Sequence, residues 1–394
     1  MVFKPLNLLL SLLLLSMSVS LATFVLQLSQ QLGGQLSKNI APFDMVVGAK
    51  GSPLQLVLSS VLHVDAPTGN IKLKDVAKLQ KHPYVKTAIP VSYGDSYKGF
   101  RILGTETSFL DHYEAKVSEG KRYKNPFEVV VGSNVALKLG LEVGDHFVSS
   151  HGLTSLANNT HDEHPFVATG ILEPTGTVVD QLLVTSLESI WETHNHEEEH
   201  HETENENLAE HDAEKEITSL LVKFKSPLGM VQLPRFINEN TDMQAALPGF
   251  EVQRLVGLLG SGVQIINGIA LAILLVSGLS IFISLLKTIR ERKQELALLR
   301  TYGFRTEQLL GLAFLEGIFL ALFGFVLGWF LGRLGIWGVS QYMQTNYGYA
   351  LKIKGPELFE IFLMGIIIVL TVLASLLASR SIFKLNVAKT LSDA

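Results

Sequence analysis

Arg290-Glu291-Arg292-Lys293-Gln294-Glu295-Leu296-Ala297-Leu298-Leu299-Arg300-Thr301-Tyr302-Gly303 is a charged, helix-favouring stretch set between two long apolar runs. Arg290, Arg292, Lys293 and Arg300 lie directly after one run and shortly before the next, where positive charge has most weight in orienting a membrane protein. The stretch therefore reads as the cytoplasmic handle of a multi-span protein. Gly303 suits a helix C-terminus, and Thr306 suits the cap of the helix that follows. Leu296 and Leu299, one turn apart, form an apolar ridge of the kind that fits a partner's groove. A loop lying on the bilayer surface has the same spacing, so the ridge alone does not separate docking from topology.

Outward from the handle, residues 252–300 contain no proline and residues 255–286 no charge. A continuous helix over 252–300 is about 70 Å long at 1.5 Å per residue, well beyond the hydrocarbon thickness of about 30 Å, so it projects at one or both ends. It reads as a mechanical rod that carries the second span, and Gly257, Gly260, Gly262, Gly268 and Gly278 permit close packing or bending along it. The third span is expected over 309–332 and the fourth over 361–379, with Arg380, Lys384 and Lys389 following on the handle's side. Lys352 and Lys354 in the connecting loop weaken that asymmetry without reversing it. Residues 6–28 are uncharged and make the first span. A signal peptide is its competitor, with Lys4 before a leucine-rich core and Ser20-Leu21-Ala22 after, but the apolar character runs on through Phe24, Val25, Leu26 and Leu28.

Composition agrees with this outline. The 394 residues are 47% hydrophobic with mean hydropathy +0.30, enough for several spans and one sizeable soluble domain. The formal charge of -5 is dominated by residues 188–216, which hold twelve acids and one lysine; the rest is net positive. Without cysteine the chain has no disulfide, no thiolate metal site and no lipid-modified cysteine. The expected fold is an α-helical membrane protein with four transmembrane helices, plus a mixed α+β extracytoplasmic domain between the first and second spans. Residues 1–38 are the first helix and stalk, 39–251 the outer domain, and 252–394 the stalk and spans two to four, with a coupling segment at 287–307. Both termini are expected to be cytoplasmic.

In the outer domain, short β-rich runs at 43–47, 84–89 and 127–131 are bounded by turn-forming residues, and residues 72–81 and 134–139 read as short helices, the second closed by Gly140. Residues 188–216 break the composition. Such a tract buries too little surface to offset its ordering entropy, which predicts a disordered, exposed insertion. Its histidines, His194, His196, His200, His201 and His211, backed by carboxylates, suit loose capture of Zn(II) or another divalent ion. His151 and His161-Asp162-Glu163-His164 are a weaker second group. His196-Glu197-Glu198-Glu199-His200 satisfies the His-Glu-x-x-His zinc-protease spacing. A tract built of His and Glu produces that spacing by chance, and a catalytic zinc needs a dry, shaped cavity.

No nucleotide-binding Gly-x-x-x-x-Gly-Lys-Ser/Thr loop occurs, nor a Gly-x-Ser-x-Gly elbow, nor a Gly-x-Gly-x-x-Gly fingerprint. No catalytic residue is assigned. Nucleic-acid binding is not expected, because the basic residues cluster at the membrane boundary. Glu316, inside the third span, is a functional candidate by its place, since intramembrane carboxylates are costly. Arg333, at the outer end of that span, is expected to snorkel.

The residues resemble one family over nearly the whole chain, the FtsX/MacB-type permeases of ABC transporters, which include lipoprotein-releasing and haem-exporting permeases. The resemblance rests on residues 294–303 with Gln308, Glu316-Gly317, Gly324 and Gly328, on residues 131–145 in the outer domain, and on residues 379–391, which lack the usual proline. Residues 44–53 with 174–180 are similar to a bacterial subgroup with His-rich insertions. The resemblance implies a multi-pass protein of the bacterial inner membrane with a periplasmic domain, paired with itself or a similar permease. It also implies a separate ATPase that binds ATP and contacts the handle, through Arg290, Gln294, Glu295, Leu296, Leu299, Arg300 and Gly303. The cargo stays open: metal handling with a periplasmic metal-binding partner, export of a lipoprotein, haem or amphiphile, or mechanical activation of an outer partner without transport.

Overall fold

The computed structural model describes residues 5–149, 165–198, 215–291, 295, 298–299, 301–347, 350–353 and 355–383. It divides into two compact units, one of Met1–Leu32, Leu258–Gln344 and Ala350–Ala394, the other of Gly33–Gly257 with Thr345–Tyr349.

The second unit is built on a ten-stranded mixed sheet. Its strands are β1 (Met45–Ala49), β3 (Val85–Tyr97), β4 (Phe100–Thr105), β5 (Val117–Gly120), β6 (Glu128–Val131), β7 (His146–Phe147), β8 (Phe166–Leu172), β9 (Leu182–Thr185), β11 (Ser219–Phe224) and β12 (Met243–Ala246). The order is β12-β1-β11-β3-β4-β9-β6-β8-β5, with β7 on β8; β4/β9 and β6/β8 are parallel and the other pairs antiparallel. A separate pair joins β2 (Ile71–Lys72) to β10 (Glu216–Ile217).

Alternation along the strands separates the two faces. Val46, Ile89, Val91, Leu103, Val130, Leu182, Val184 and Leu221 share one cluster, while Met45, Val47, Leu220 and Val222, and separately Ile102, Val129, Val131 and Leu183, face the other side. Helices α2 (Pro53–Ser60) and α4 (Ser108–His112) cover the first face through Leu56, Val57, Phe109 and Leu110. The opposite face takes α3 (Leu73–Gln80), α5 (Ser133–Leu139), α6 (Leu187–Glu198) and α7 (Pro227–Asn240) through Val76, Val135, Ile190 and Ile237. Burial on both faces explains why β6 reads as an unbroken apolar run. Gly140 ends α5 in the left-handed region at φ 65°, as its sequence suggested.

The acidic tract is partly a correction. Residues 187–198 are helical, because Leu187, Ile190 and Trp191 recur at three and four residues, bury one side, and anchor the indole Nε1 to Glu216 O at 2.7 Å. The predicted insertion thus begins no earlier than residue 199; residues 199–214, with His200, His201 and His211, lie outside the described residues, as do His151 and His161 to His164.

Among the described residues, the first unit holds all or most of four helices long and apolar enough to cross a membrane. They are α1 (Pro5–Ile40), α8 (Pro248–Glu291), α9 (Thr306–Tyr347) and α10 (Leu358–Phe383). The third is longer than its hydropathy suggested, running on from Gly332 to Tyr347. Of the glycines singled out on α8, Gly278 has Leu370 at 3.8 Å from an added Cβ, and Gly324 and Gly328, named with the family resemblance, are closely packed. A Cβ on Gly257, Gly260, Gly262 or Gly268 of α8 meets nothing within 4 Å. Close approach belongs to α9, where Gly324, Gly328, Gly332 and Gly335 face Leu15, Ser16 with Val19, Thr23, and Phe24 of α1. Serines line the other side of α1: Ser11 Oγ lies 2.8 Å from Ser280 Oγ, and Ser18 Oγ donates to Ala270 O at 2.9 Å.

Candidate functional site

The handle ends as the sequence requires. Gly303 adopts φ 93°, the left-handed conformation that lets a chain leave a helix and turn. Gln308 Oε1 then accepts from Arg305 N at 2.9 Å, closing the start of α9. Glu295 is exposed and Leu299 is half-buried against the bundle cluster. Among the described residues of this segment, the outward apolar side chains are Leu298, Tyr302 and Phe304, 48%, 80% and 43% exposed. Arg290 lies in the last turn of α8, while Gln294, Leu296 and Arg300 lie outside the described residues. Tyr302 and Phe304 are legible in the sequence as apolar residues flanking Gly303, beyond the ridge of Leu296 and Leu299.

Both helices that enter the outer domain are rooted in one core. Leu36 and Ile40 of α1 and Val252 and Val256 of α8 all pack on the cluster of the first sheet face. A tight loop grips the end of α1 as well. Asp180 accepts from Thr175 N, Thr175 Oγ1 and Gly176 N at 2.9, 2.8 and 2.7 Å, which turns the loop's carbonyls outward. Lys38 Nζ donates to Thr175 O at 2.7 Å and Gln35 Nε2 to Gly176 O at 2.8 Å.

A buried group of polar side chains lies in the same core of the outer domain. His63 Nδ1 lies 2.5 Å from the Tyr93 hydroxyl, which also bonds Ser59 O. A backbone carbonyl only accepts, so the hydroxyl donates to Ser59 and the imidazole donates through Nδ1–H. Burial, with the Arg101 cation second, lowers the His63 pKa to about 3 and burial raises that of Tyr93.

Arg333 corrects the expectation of snorkelling. Its guanidinium is buried and donates through Nη2 to Glu360 Oε2 at 2.9 Å and to Gly355 O at 2.9 Å, stacked 4.9 Å from the Trp329 ring centroid. The charge therefore stays inside, because Glu360 at the start of α10 supplies a counter-charge that hydropathy along α9 cannot reveal. Glu316 is half-buried, with Oε1 lacking a hydrogen-bond partner among the described residues. It precedes Arg333 by about 25 Å along α9 at 1.5 Å per residue.

His194 and His196 lie on the last turns of α6. Among the described residues no group of three His, Asp or Glu is placed to hold a metal ion.

Residues 267–387 match the family model described as FtsX-like permease C-terminal. A comparison with curated proteins returns no match. Among solved structures, the periplasmic region of MacB from Actinobacillus actinomycetemcomitans is similar at 12% identity and TM-score 0.35, over 56% of this chain and 97% of that one. The extracellular domain of the noncanonic ABC-type transporter YknZ from Gram-positive bacteria is similar at 12% identity and TM-score 0.30, over 51% and 98%. The family match spans the handle and the two helices that follow it, so residues 267–387 carry an FtsX-like permease C-terminal domain.

Proposed function

We propose that this permease couples ATP hydrolysis on a separate ATPase chain to movement of its outer domain, with the handle as the docking surface. Permeases of this kind work in ABC transporter complexes with an ATPase. The observation that carries the reading is the exposed set Glu295, Leu298, Tyr302 and Phe304 beside the left-handed Gly303, within the matched residues. An aromatic at 80% exposure next to a charged helix end is the kind of anchor that fills a partner's pocket. α8 is one helix of 44 residues, about 66 Å at 1.5 Å per residue, rooted in the outer core at Val252 and Val256. Displacement at the handle then biases a two-state arrangement of the helices.

Tyr302→Asp and Glu295→Lys are expected to weaken capture of the ATPase by the permease in membranes about 30-fold each, the loss expected of an interface anchor, while membrane insertion is unchanged. Wild-type capture in both variants overturns the docking role. Leu299→Asp is a poorer probe, because Leu299 packs on the bundle.

For the His-rich tract we propose capture of Zn(II) or a similar divalent ion by His194, His196, His200, His201 and His211. The support is the donor chemistry alone, neutral imidazoles among carboxylates close together in sequence. Calorimetric titration of the full chain with zinc, compared with a variant carrying asparagine at all five positions, is expected to lose the binding heat. Equal heats in the two chains overturn the metal role.

A further inference from the structure

Glu360 Oε2 is the meeting point of three donors: Trp329 Nε1 at 3.0 Å, Arg333 Nη2 at 2.9 Å and Glu357 N at 3.1 Å. The last is the back-bond of a helix-capping carboxylate, so the residue that neutralises Arg333 also starts α10. The segment leading into it is pinned along α9. Ser340 Oγ donates to Leu351 O at 3.1 Å and accepts from Leu351 N at 2.9 Å, about two turns beyond Arg333. Lys352 N donates to Gln31 Oε1 of α1 at 2.8 Å. The chain therefore returns along α9 from Ser340 to Arg333 before α10 begins.

Such a pair is a poor source of stability. Arg333 Nε and Nη1 and Glu360 Oε1 have no partner among the described residues, and a buried pair is often matched by apolar side chains of equal volume. What an ion pair supplies that leucines do not is register. Glu360 and Arg380 are the only charged residues of α10, and Thr371 spends its hydroxyl on Ile367 O of its own helix. Apolar packing alone leaves such a helix free to slide or rotate at small energetic difference.

We propose that Arg333, Glu360 and Trp329 form a latch of positioning residues that sets the depth and register of α10 against α9, so that the two helices answer the ATPase as one body. The response to ATP rests on the permease reading above; the register does not.

The test uses the full chain in lipid nanodiscs, with and without its ATPase. Because the chain has no cysteine, single cysteines at Trp337 and Phe362, both exposed, accept spin labels without background. Arg333→Met and Glu360→Gln are expected to broaden the distance distribution between the labels and to speed amide exchange at Glu357 about 100-fold, as a broken buried pair would. The exchanged pair Arg333→Glu with Glu360→Arg is expected to restore the distance but not the slow exchange at Glu357, since the capping carboxylate is gone. With the ATPase bound, the single variants are expected to lose the nucleotide-dependent change in distance while basal ATP turnover persists. Trp329→Phe removes one donor and keeps an aromatic ring, and is expected to fall between wild type and the others; it serves where the charge variants fail to fold. Wild-type distances and exchange in Trp329→Phe and in whichever charge variants fold overturn the latch. Broadened distances with no ATPase binding in any variant leave the latch standing and overturn the permease reading instead.

Discussion

Gly328→Val lowers the temperature at which the membrane unit loses its structure by about 6–12 °C, whereas Gly324→Ala shifts it by no more than about 2 °C. The two glycines lie one turn apart on α9 and face the same helix, yet their surroundings differ. A Cβ on Gly328 comes to 2.5 Å from Ser16 O and 2.7 Å from Val19 Cβ, distances that real Cβ atoms do not adopt. Ser16 O belongs to the backbone of α1, so relief requires the whole helix to move. A Cβ on Gly324 meets the end of the Leu15 side chain, at 2.6 Å from Cδ2, and a leucine changes rotamer at small cost. Overpacking against backbone lies at the upper end of the 1–3 kcal/mol range, roughly 3 kcal/mol, and for a unit of this size each kcal/mol moves the midpoint by about 2–4 °C. Thermal loss of the monodisperse peak in detergent measures both. Equal tolerance at the two positions would show that α1 and α9 do not approach as closely as their glycines permit.

The contrast between those glycines and the ones on α8 shows what a sequence reveals of a bundle. Four apolar spans, the handle and the β-rich outer domain follow from composition and periodicity, because each is a property of neighbours along the chain. Which face of a span meets another helix is not. Gly257, Gly260, Gly262 and Gly268 look as permissive as Gly324, Gly328 and Gly332, and only the repeat of four residues on α9 hinted at a single lined face. Arg333 was misplaced for a related reason. Hydropathy ends a span at a charge, while its neutralising partner lies beyond a turn, at Glu360. In the handle, Glu295 and Gly303 were legible, the first as a charge on a helical stretch and the second as a terminator. The exposure of Leu298 and Tyr302 rather than Leu299 depends on how the helix meets the bundle, which spacing does not specify. The acidic tract erred in its boundary, since three apolar residues at 187–191 suffice to dock a helix even where composition turns hydrophilic.

Acid is expected to open the outer domain around His63, and replacing that residue is expected to remove part of the effect. His63 is buried in a left-handed conformation at φ 56°, just past the end of α2. Tyr93 of β3, Arg101 of β4 and Phe109 of α4 face it: the hydroxyl takes Nδ1–H, the ring of Phe109 stands edge-on, and Arg101 stacks 5.0 Å from the Tyr93 centroid with Nη2 on Asp65 O. Nε2 has no partner among the described residues, so a proton added there is a desolvated charge beside an arginine. The folded pKa is lowered from 6.5 to about 3, so the unfolded chain binds the extra proton. Stability is therefore whole above pH 6.5 and falls as pH drops towards 3, by about 1.4 kcal/mol per pH unit. Between pH 6.5 and 4.5 the loss is about 2–3 kcal/mol, a large share of the 5–15 kcal/mol that holds a typical domain. Amide exchange at Leu62 and Val64, which bond Val57 O and Leu58 O, reads this opening once intrinsic rates are corrected for pH. His63→Asn removes the titrating ring and tolerates the positive φ, although it forfeits the contact with Phe109. Carboxylates titrate in both proteins, so the difference between their pH profiles isolates the imidazole. The variant starts less protected at pH 7 and loses less on acidification; parallel profiles would mean that His63 gains its proton without opening the fold.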